Sequence, residues 1–173
     1  IKFVYASMFF ENARRHIETV DNAGVQKEKM AVIIQEIVGS RHGDRFYPAM
    51  SGVARSFNFY PHGHAKPGDG IVELALGLGK TVVDGEKTWS YSPAYPKAPP
   101  PYNDIPDMLK NTQTEFWAVN MGRPPAYDPI KETEYLIKCG LREAEYDKSL
   151  YLSASTYVPR ADRIVPGTGQ SGP

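Results

Sequence analysis

Residues 71–85, IVELALGLGKTVVDG, end an apolar run in Gly-Leu-Gly-Lys-Thr and therefore suggest a phosphate-binding loop. Such a loop requires a glycine, four residues and then Gly-Lys-Ser/Thr, because the first glycine lets the chain wrap around a phosphate. Counting back from Gly79, that first position is Leu74, which cannot readily take glycine's backbone angles. The loop should also open a helix, whereas VVDG is β-branched and then turns. We therefore predict a strand with a glycine bend, and no phosphate-binding loop.

Composition and charge indicate one ordinary folded domain. The chain has 173 residues, of which 41% are hydrophobic, and this suffices for a core. Lys+Arg and Asp+Glu are both 20, so the formal net charge is zero. This argues against nucleic acid or an anionic membrane as the main partner. No apolar run approaches the roughly 20 residues of a membrane span, and no signal peptide is visible.

Three residues are candidates for metal or nucleophilic chemistry, and the pattern assigns none of them a site. Cys139 is the single cysteine, so an internal disulfide or a multi-cysteine zinc site is excluded and a reducing compartment fits. We expect Cys139 to be a buried small residue at a helix end. His62 and His64 supply too few ligands for a metal by themselves, so we expect surface histidines.

The hydrophobic pattern predicts one helix followed by three strands. Residues 1–19 place apolar side chains at helical spacing and are expected to form an amphipathic helix that packs on a sheet. Residues 29–38 form a β-branched apolar run, residues 51–60 alternate, and residues 71–79 are again apolar, so each is predicted as a strand. This order predicts an α+β fold, with an antiparallel sheet and packed helices.

The second half of the chain gives weaker signals. Residues 93–106 are proline-rich and should be extended surface chain, either a stiff connector or, alternatively, an SH3-type ligand. Residues 107–121 alternate weakly or form a short helix. Residues 128–150 are predicted to be helical, with Asp128 as cap, Pro129 in the first turn and Gly140 closing a turn. Residues 151–169 are expected to form a last strand or an extended arm.

Four blocks of sequence occur in a specific order between residue 1 and about residue 91. They are IKFVYASMFFENARRH, MAVIIQEIV, SGVARSFNFYPHG and IVELALGLGKTVVDG. This order and spacing resemble the ATP-binding domain of the phosphoenolpyruvate synthase and pyruvate phosphate dikinase family. The resemblance implies a partial ATP-grasp lobe. It divides the chain into a core (1–91), a proline-rich connector (92–107) and a helical and extended insertion that packs on the core (108–173).

The resemblance also implies an activity. In that family ATP phosphorylates a histidine on a separate domain, and the phosphohistidine then phosphorylates pyruvate on a third domain, which divides one hard step into two. A cytoplasmic phosphotransferase of the pyruvate, water dikinase type is therefore implied, with ATP, Mg²⁺ and the other domains of the parent chain as partners. Because the chain starts at Ile1 within an apparent helix, we expect a piece of a longer protein.

The chain lacks recognisable counterparts of the family's phosphate-clamping Lys and Arg and of its magnesium-binding acidic pair. Phosphoryl transfer needs this electrostatic stabilisation, so we expect the chain to be inactive alone, with the Mg²⁺ ligands outside it. No catalytic or metal-binding residue is assigned. The acceptor also stays open, because rifampicin phosphotransferases and glucan dikinases share the ATP domain.

Four consecutive residues, Gln35, Glu36, Ile37 and Val38, match the family's hinge at the end of a strand. The resemblance implies that their backbone groups pair with the adenine edge, while Ile37 and Val38 supply apolar walls. The alternative is an ordinary core strand with one surface Gln-Glu pair. Glu73 matches a glutamate in the third strand, either as a polar contact to the nucleotide or as a salt bridge inside the sheet layer.

Several positions depart from the family pattern. Gly77 and Gly79 match, and we expect them to allow a close backbone approach where the strand bends. Lys80 stands where the family has a glutamate, and whether Lys80 contacts a phosphate stays open. Phe57 stands where the family has an arginine. These changes support an alternative, a degenerate module that keeps the fold for assembly or regulation. A third possibility is a protein-interaction domain that uses residues 93–106.

Overall fold

The fold is known from a computed structural model, which describes residues 1–20, 31–98, 100–123, 135–150, 155–161 and 163–166. These residues form five α-helices and nine strands, arranged as three antiparallel sheets. The predicted α+β class, with antiparallel sheets and helices, is confirmed. The chain divides into two compact units, one formed by Ile1–Ile37 and a larger one that begins at Val38. None of the described helices has the length and apolar character that crossing a bilayer requires.

The first unit begins with two short helices, α1 (Lys2–Ser7) and α2 (Glu11–Val20), where one helix was predicted. The Ser7 hydroxyl donates to the carbonyl oxygen of Val4 at 2.7 Å, a local bond that competes with the helical backbone pattern. After α1, Phe9 N donates to Ala6 O in a tight turn. No described residue of α1 is buried, and Phe9 is 76% exposed.

Residues 31–38 form neither a helix nor a strand, so the strand predicted over 29–38 is wrong for them, and residues 29 and 30 lie outside the described part. Their apolar side chains face solvent: Ile33 is 84%, Ile34 75% and Val38 81% exposed. A strand requires a neighbouring strand to pair with, and no described strand pairs with this segment. Local β-propensity alone therefore did not decide the structure here.

A three-stranded sheet contains β3 (Ser51–Arg55), β4 (Ile71–Ala75) and β5 (Trp89–Tyr91), in the order β3-β4-β5. The strand predicted over 51–60 ends at Arg55. Beyond it Asn58, only 3% exposed, donates its N–H to the carbonyl oxygen of Pro67, and its side chain accepts from Tyr60 N. This side-chain-to-backbone turn ends the strand.

A four-stranded sheet is ordered β1-β2-β6-β7. Its strands are β1 (Ser40–His42), β2 (Arg45–Tyr47), β6 (Glu115–Asn120) and β7 (Leu136–Gly140). The prediction of a helix over 128–150 is wrong for β7, while Asp128 and Pro129 lie outside the described residues. The helix, α5 (Leu141–Tyr146), begins only after Gly140, which precedes it instead of closing it.

The core lies at this four-stranded sheet. Tyr47 and Phe116 are fully buried, with ring centroids 4.6 Å apart, and Ala144 of α5 is also fully buried. Cys139 is 8% exposed, which confirms the predicted burial, but it lies on β7 and not at a helix end. Leu76, just after β4, joins the same cluster. The chain that leaves the three-stranded sheet is thus anchored to the four-stranded one.

The proline-rich segment is turned, not extended, over residues 93–98. Tyr95 N donates to Ser92 O at 2.9 Å and Ala98 N donates to Tyr95 O at 3.0 Å, so two turns follow each other, while Pro99 lies outside the described residues. This overturns the predicted extended chain for residues 93–98, whereas an SH3-type ligand over residues 93–106 as a whole stays a prediction.

A short helix and a hairpin complete the described chain. Helix α4 (Ile105–Asn111) is capped by Asp104, whose carboxylate accepts from Asp107 N at 2.8 Å. Near the end, β8 (Ser155–Val158) and β9 (Arg163–Pro166) pair with each other. The expected last strand is therefore confirmed over these residues.

Candidate functional site

The hinge residues Gln35–Val38 are contiguous and exposed, but they do not end a strand. Ile37 is 52% and Val38 81% exposed, and the boundary between the two units falls between them. Apolar side chains that face solvent are available to a flat apolar ring, as the proposed adenine walls require. The expected position of residues 35–38 at a strand end is therefore wrong. The pairing of their backbone groups with adenine stays a prediction.

Glu73 lies in the middle of β4 and faces Val53 of β3 across the sheet. Arg55 is its diagonal neighbour on the same strand pair, and one guanidinium nitrogen of Arg55 lies 3.0 Å from Glu73 Oε2. Among the described residues no hydrogen bond reaches this oxygen, so the contact is an ion pair without hydrogen-bond alignment. The structure thus contains the salt bridge that was the alternative for Glu73. A nucleotide contact by Glu73 stays a prediction.

Gly77 is the glycine that the bend requires. Its φ of +80° is unfavourable for other residues, and a Cβ there would lie 2.7 Å from Trp117 O and 2.8 Å from the Phe116 ring. The next residue, Leu78, donates its N–H to Trp117 O at 2.9 Å. The predicted close backbone approach is confirmed at Gly77. At Gly79 the nearest atom to an added Cβ is 4.0 Å away, so Gly79 needs no such approach.

The glycine bend opens a one-turn helix, α3 (Lys80–Val83), so the expectation that no helix follows it was wrong. Rejection of a phosphate-binding loop rests on Leu74 instead. Leu74 lies inside β4, paired with Gly52 and Trp89, and cannot belong to a loop around a phosphate. Thr81 is fully buried, so its hydroxyl does not face a ligand in solvent.

Lys80, the cation in this motif, is already engaged. Its ammonium group lies 2.6 Å from Asp84 Oδ2, one helical turn away, and 5.4 Å from the centre of the Trp117 ring. The ammonium group of Lys138 lies 5.5 Å from the same ring centre. The indole therefore contacts two lysines, each of which also has a carboxylate partner.

A pocket of about 310 Å³ opens beside Lys138. It is lined by Glu86, Lys87, Gln113, Thr114, Glu115 and Lys138. The Lys138 ammonium lies 3.2 Å from Glu115 Oε2 and 3.2 Å from Glu86 Oε1, and these bonds raise the pKa of Lys138. Two lysines and two glutamates leave the lining without net charge. Because a triphosphate needs an excess of positive charge, this pocket does not suit one.

A buried hydrogen-bond network at β2 was not predicted from the sequence. The Arg45 guanidinium donates two hydrogen bonds to Asp147, at 3.0 and 2.7 Å, and the Tyr47 hydroxyl donates to Asp147 Oδ2 at 2.8 Å. Burial alone would raise the pKa of Asp147, but the hydrogen bonds and charge of Arg45 lower it overall. Burial raises the pKa of Tyr47 to about 12. Since Tyr47 is fully buried, we assign this network to stability and not to ligand binding.

Among the residues that the structure describes, no group of three His, Cys, Asp or Glu side chains is placed to hold a metal ion by itself. Residues 35–38 do fit the requirements of an adenine ring in one respect, since their apolar side chains are open to solvent. The candidate nucleotide contacts are thus the backbone and apolar groups of residues 35–38 and the carboxylate of Glu73.

One comparison with known proteins gave a match. A family model described as "Pyruvate phosphate dikinase, AMP/ATP-binding domain" matches residues 1–97. No curated protein and no solved structure matches the chain. The matched range contains residues 35–38, Glu73 and the glycine bend, together with the whole three-stranded sheet.

Proposed function

Because the chain belongs to the family of the pyruvate phosphate dikinase AMP/ATP-binding domain, we propose that it forms part of the ATP-binding domain of a phosphoenolpyruvate synthase-like phosphotransferase. In the full-length, cytoplasmic protein, ATP would phosphorylate a histidine of another domain, and that histidine would phosphorylate pyruvate. The match over residues 1–97 is the observation that carries this proposal. The division into residues 1–91, 92–107 and 108–173 belongs to the same proposal.

We assign the adenine edge to the backbone of Gln35, Glu36, Ile37 and Val38. Two features support this assignment. The segment has no partner among the described strands, and Ile37 and Val38 expose apolar surface that a purine ring would remove from water. Glu73 is the proposed polar contact, and to reach a nucleotide its carboxylate would have to leave Arg55.

The chain alone is proposed to bind nucleotide without transferring phosphate. Transfer needs Mg²⁺ held by carboxylates and cations placed on the phosphates. The described residues offer no metal cluster, and Lys80 and Lys138 are both paired with carboxylates. We place the Mg²⁺ ligands and the cationic clamp in other parts of the parent protein.

A calorimetric titration of the chain with ATP and with AMP tests the adenine assignment. Val38→Asp places a carboxylate beside the proposed ring, and we expect it to weaken both nucleotides about 10-fold, or about 1.4 kcal/mol. Val83→Asp is the matched control, because Val83 of α3 is 79% exposed and Val38 is 81% exposed. Equal affinity of the two variants would remove residues 35–38 from the site.

A second pair of variants tests Glu73. If Glu73 contacts the nucleotide, Glu73→Gln lowers ATP affinity while Arg55→Gln does not. If it serves only the salt bridge, both variants keep the affinity of the unaltered chain. Each then loses less than about 1 kcal/mol of stability, because Arg55 is 57% exposed.

The transfer reaction is tested in the full-length protein. Incubation with Mg²⁺ and ATP labelled in the γ- or the β-phosphate should yield an acid-labile, base-stable phosphohistidine, which pyruvate then discharges. A protein that binds ATP but never labels a histidine would contradict the phosphotransferase proposal and leave nucleotide binding intact.

The second candidate function is a degenerate, non-catalytic module with an assembly or interaction role. It is favoured by Lys80, which is held by Asp84 and Trp117, and by Phe57, which is 48% exposed where the family has an arginine. This candidate expects no histidine labelling in the full-length protein. It also expects the flanking Lys, Arg and acidic blocks to be missing from the parent sequence.

A further inference from the structure

The pocket beside Lys138 has no part in the proposed nucleotide site, because it contains neither Glu73 nor any of residues 35–38. Its volume of about 310 Å³ lies at the small end of the range for ligand pockets, so it suits a small molecule. Most ligand pockets are lined by apolar side chains, whereas two lysines and two glutamates line this one. The ligand that such a lining recognises must therefore carry charge.

One side of the lining has an excess of negative charge. The Lys138 ammonium lies 3.2 Å from Glu86 Oε1 and 3.2 Å from Glu115 Oε2, so two carboxylates share one lysine. This group of three side chains carries one net negative charge. Because the two oxygens of a carboxylate together can accept several hydrogen bonds, both glutamates retain capacity for a further cationic donor.

Lys87 supplies the positive counterpart in the same lining. Its ammonium donates to the carbonyl oxygen of Lys110 at 2.6 Å, in the last turn of α4. Within the described part of the chain it makes no ion pair with a carboxylate. An ammonium group has three donor protons, so Lys87 keeps two for an anionic group of a ligand.

Neighbouring groups hold the lining in place. Trp117 Nε1 donates to Glu86 Oε1 at 3.3 Å, and the Lys138 ammonium lies 5.5 Å from the centre of the same indole ring. The side chain of Gln113 is fixed to the backbone of Leu76 by two hydrogen bonds. Because these side chains are already ordered, a ligand loses less affinity to the ordering of the pocket.

We propose that this pocket binds a small zwitterion with a primary ammonium group and a carboxylate, which is the chemistry of a free amino acid. The ligand ammonium donates to Glu86 and Glu115, and the ligand carboxylate accepts from Lys87. A simple amine uses only the acidic side and a simple carboxylate only Lys87. A zwitterion satisfies both sides and matches a lining without net charge.

Isothermal titration calorimetry of the 173-residue chain tests the site. The probes are glycine, β-alanine, 4-aminobutyrate and 6-aminohexanoate, which differ in the distance between their two charges. We expect at least one of them to bind with a dissociation constant of about 1 mM or tighter, and the amine and the carboxylate of the same chain length to bind about 10-fold more weakly. Absence of binding by all four up to about 10 mM, or equal binding of a singly charged analogue, would overturn the proposal.

Crossed charge variants assign the two ends of the ligand. Glu115→Gln should weaken the zwitterion and the amine about 5-fold without weakening the carboxylate, and Lys87→Gln should weaken the zwitterion and the carboxylate without weakening the amine. Glu143→Gln and Lys97→Gln are the matched controls, because all four side chains are exposed and these two lie outside the lining. Control variants that weaken the zwitterion as much as the pocket variants would refute this site.

The fluorescence of Trp117 locates the bound zwitterion. The chain has two tryptophans, so Trp89→Phe leaves Trp117 as the emitting residue. A ligand ammonium at Glu86 changes the charge beside the indole N–H, and we expect the emission maximum to shift with the dissociation constant that calorimetry gives. A zwitterion that binds without any change in Trp117 emission occupies another place on the chain, and that result contradicts the proposal.

Discussion

Gly77 should contribute strongly to the stability of the fold, because it lies where the glycine bend contacts β6. An alanine there would have to adopt a φ near +80° and place its Cβ 2.7 Å from Trp117 O. We expect Gly77→Ala to lower the free energy of unfolding by about 3 kcal/mol, measured by urea titration. Gly43→Ala is the control, because Gly43 has a φ of +59° and no atom within 4 Å. Its cost should be about 1 kcal/mol.

Tyr47 should make the fold sensitive to alkali. Burial raises its pKa to about 12 from the ordinary 10.0, so the folded state holds the phenolic proton more tightly than the unfolded state. The stabilisation is complete below pH 10 and is lost as the pH rises through 12. We expect Tyr47→Phe to be less stable than the unaltered chain at pH 9, and this difference to shrink by up to about 3 kcal/mol by pH 12.

Urea titrations from pH 9 to pH 12 measure this difference. Tyr146→Phe is the control, because Tyr146 is 85% exposed and its replacement should leave the pH dependence unchanged. A constant difference between Tyr47→Phe and the unaltered chain over this range would show that Tyr47 is not the group that titrates.

The sequence allowed residue-level predictions where the cause is local. Gly77 was predicted from its place at the end of an apolar run, and the burial of Cys139 from the tendency of a free cysteine to be buried. The ion pair between Arg45 and Asp147 joins residues 102 positions apart, and no local sequence pattern predicts such a partner. The contacts of Lys80 and Lys138 with Trp117 escaped prediction for the same reason.

At the scale of elements, pairing between strands decided the cases that local patterns got wrong. Residues 136–140 have apolar spacing that also suits a helix, yet Cys139 pairs with Phe116 and Ile137 with Ala118 of β6. Residues 31–38 show the opposite outcome, because a strand pattern without a described partner strand stays outside the sheets. The runs that became β3 and β4 were predicted as strands, and they pair with each other across residues 56–70, although both strands are shorter than predicted.

Gln113 acts as a substitute strand partner where β4 has ended. Its side chain accepts from Leu76 N at 2.8 Å and donates to Leu76 O at 3.0 Å and to Glu115 O at 2.9 Å. Gln113→Glu would set a carboxylate against two carbonyl oxygens, and we expect a loss of about 3 kcal/mol in urea unfolding. Gln35→Glu, the same substitution at an exposed position, should cost about 1 kcal/mol or less.

The two units of the molecule should differ in local stability. None of the first unit's side chains whose burial the structure describes is buried, whereas β6 contributes the fully buried Phe116 and Ala118 to the core of the second unit. We expect the amides of α1 to exchange with deuterium roughly 100-fold faster than those of β6, measured by mass spectrometry of peptides. Equal protection of α1 and β6 would show that burial does not govern the opening of this chain.

The pairing of β2 with β6 determines which part of the chain can be expressed on its own. A chain trimmed to residues 1–97, the range of the family match, would keep Tyr47 but delete Phe116, Asp147 and Ser149, which enclose it. The truncated product would present that aromatic ring to water and leave Arg45 without its carboxylate. The smallest soluble expression unit should therefore extend through Leu150, well past the point where family resemblance ends.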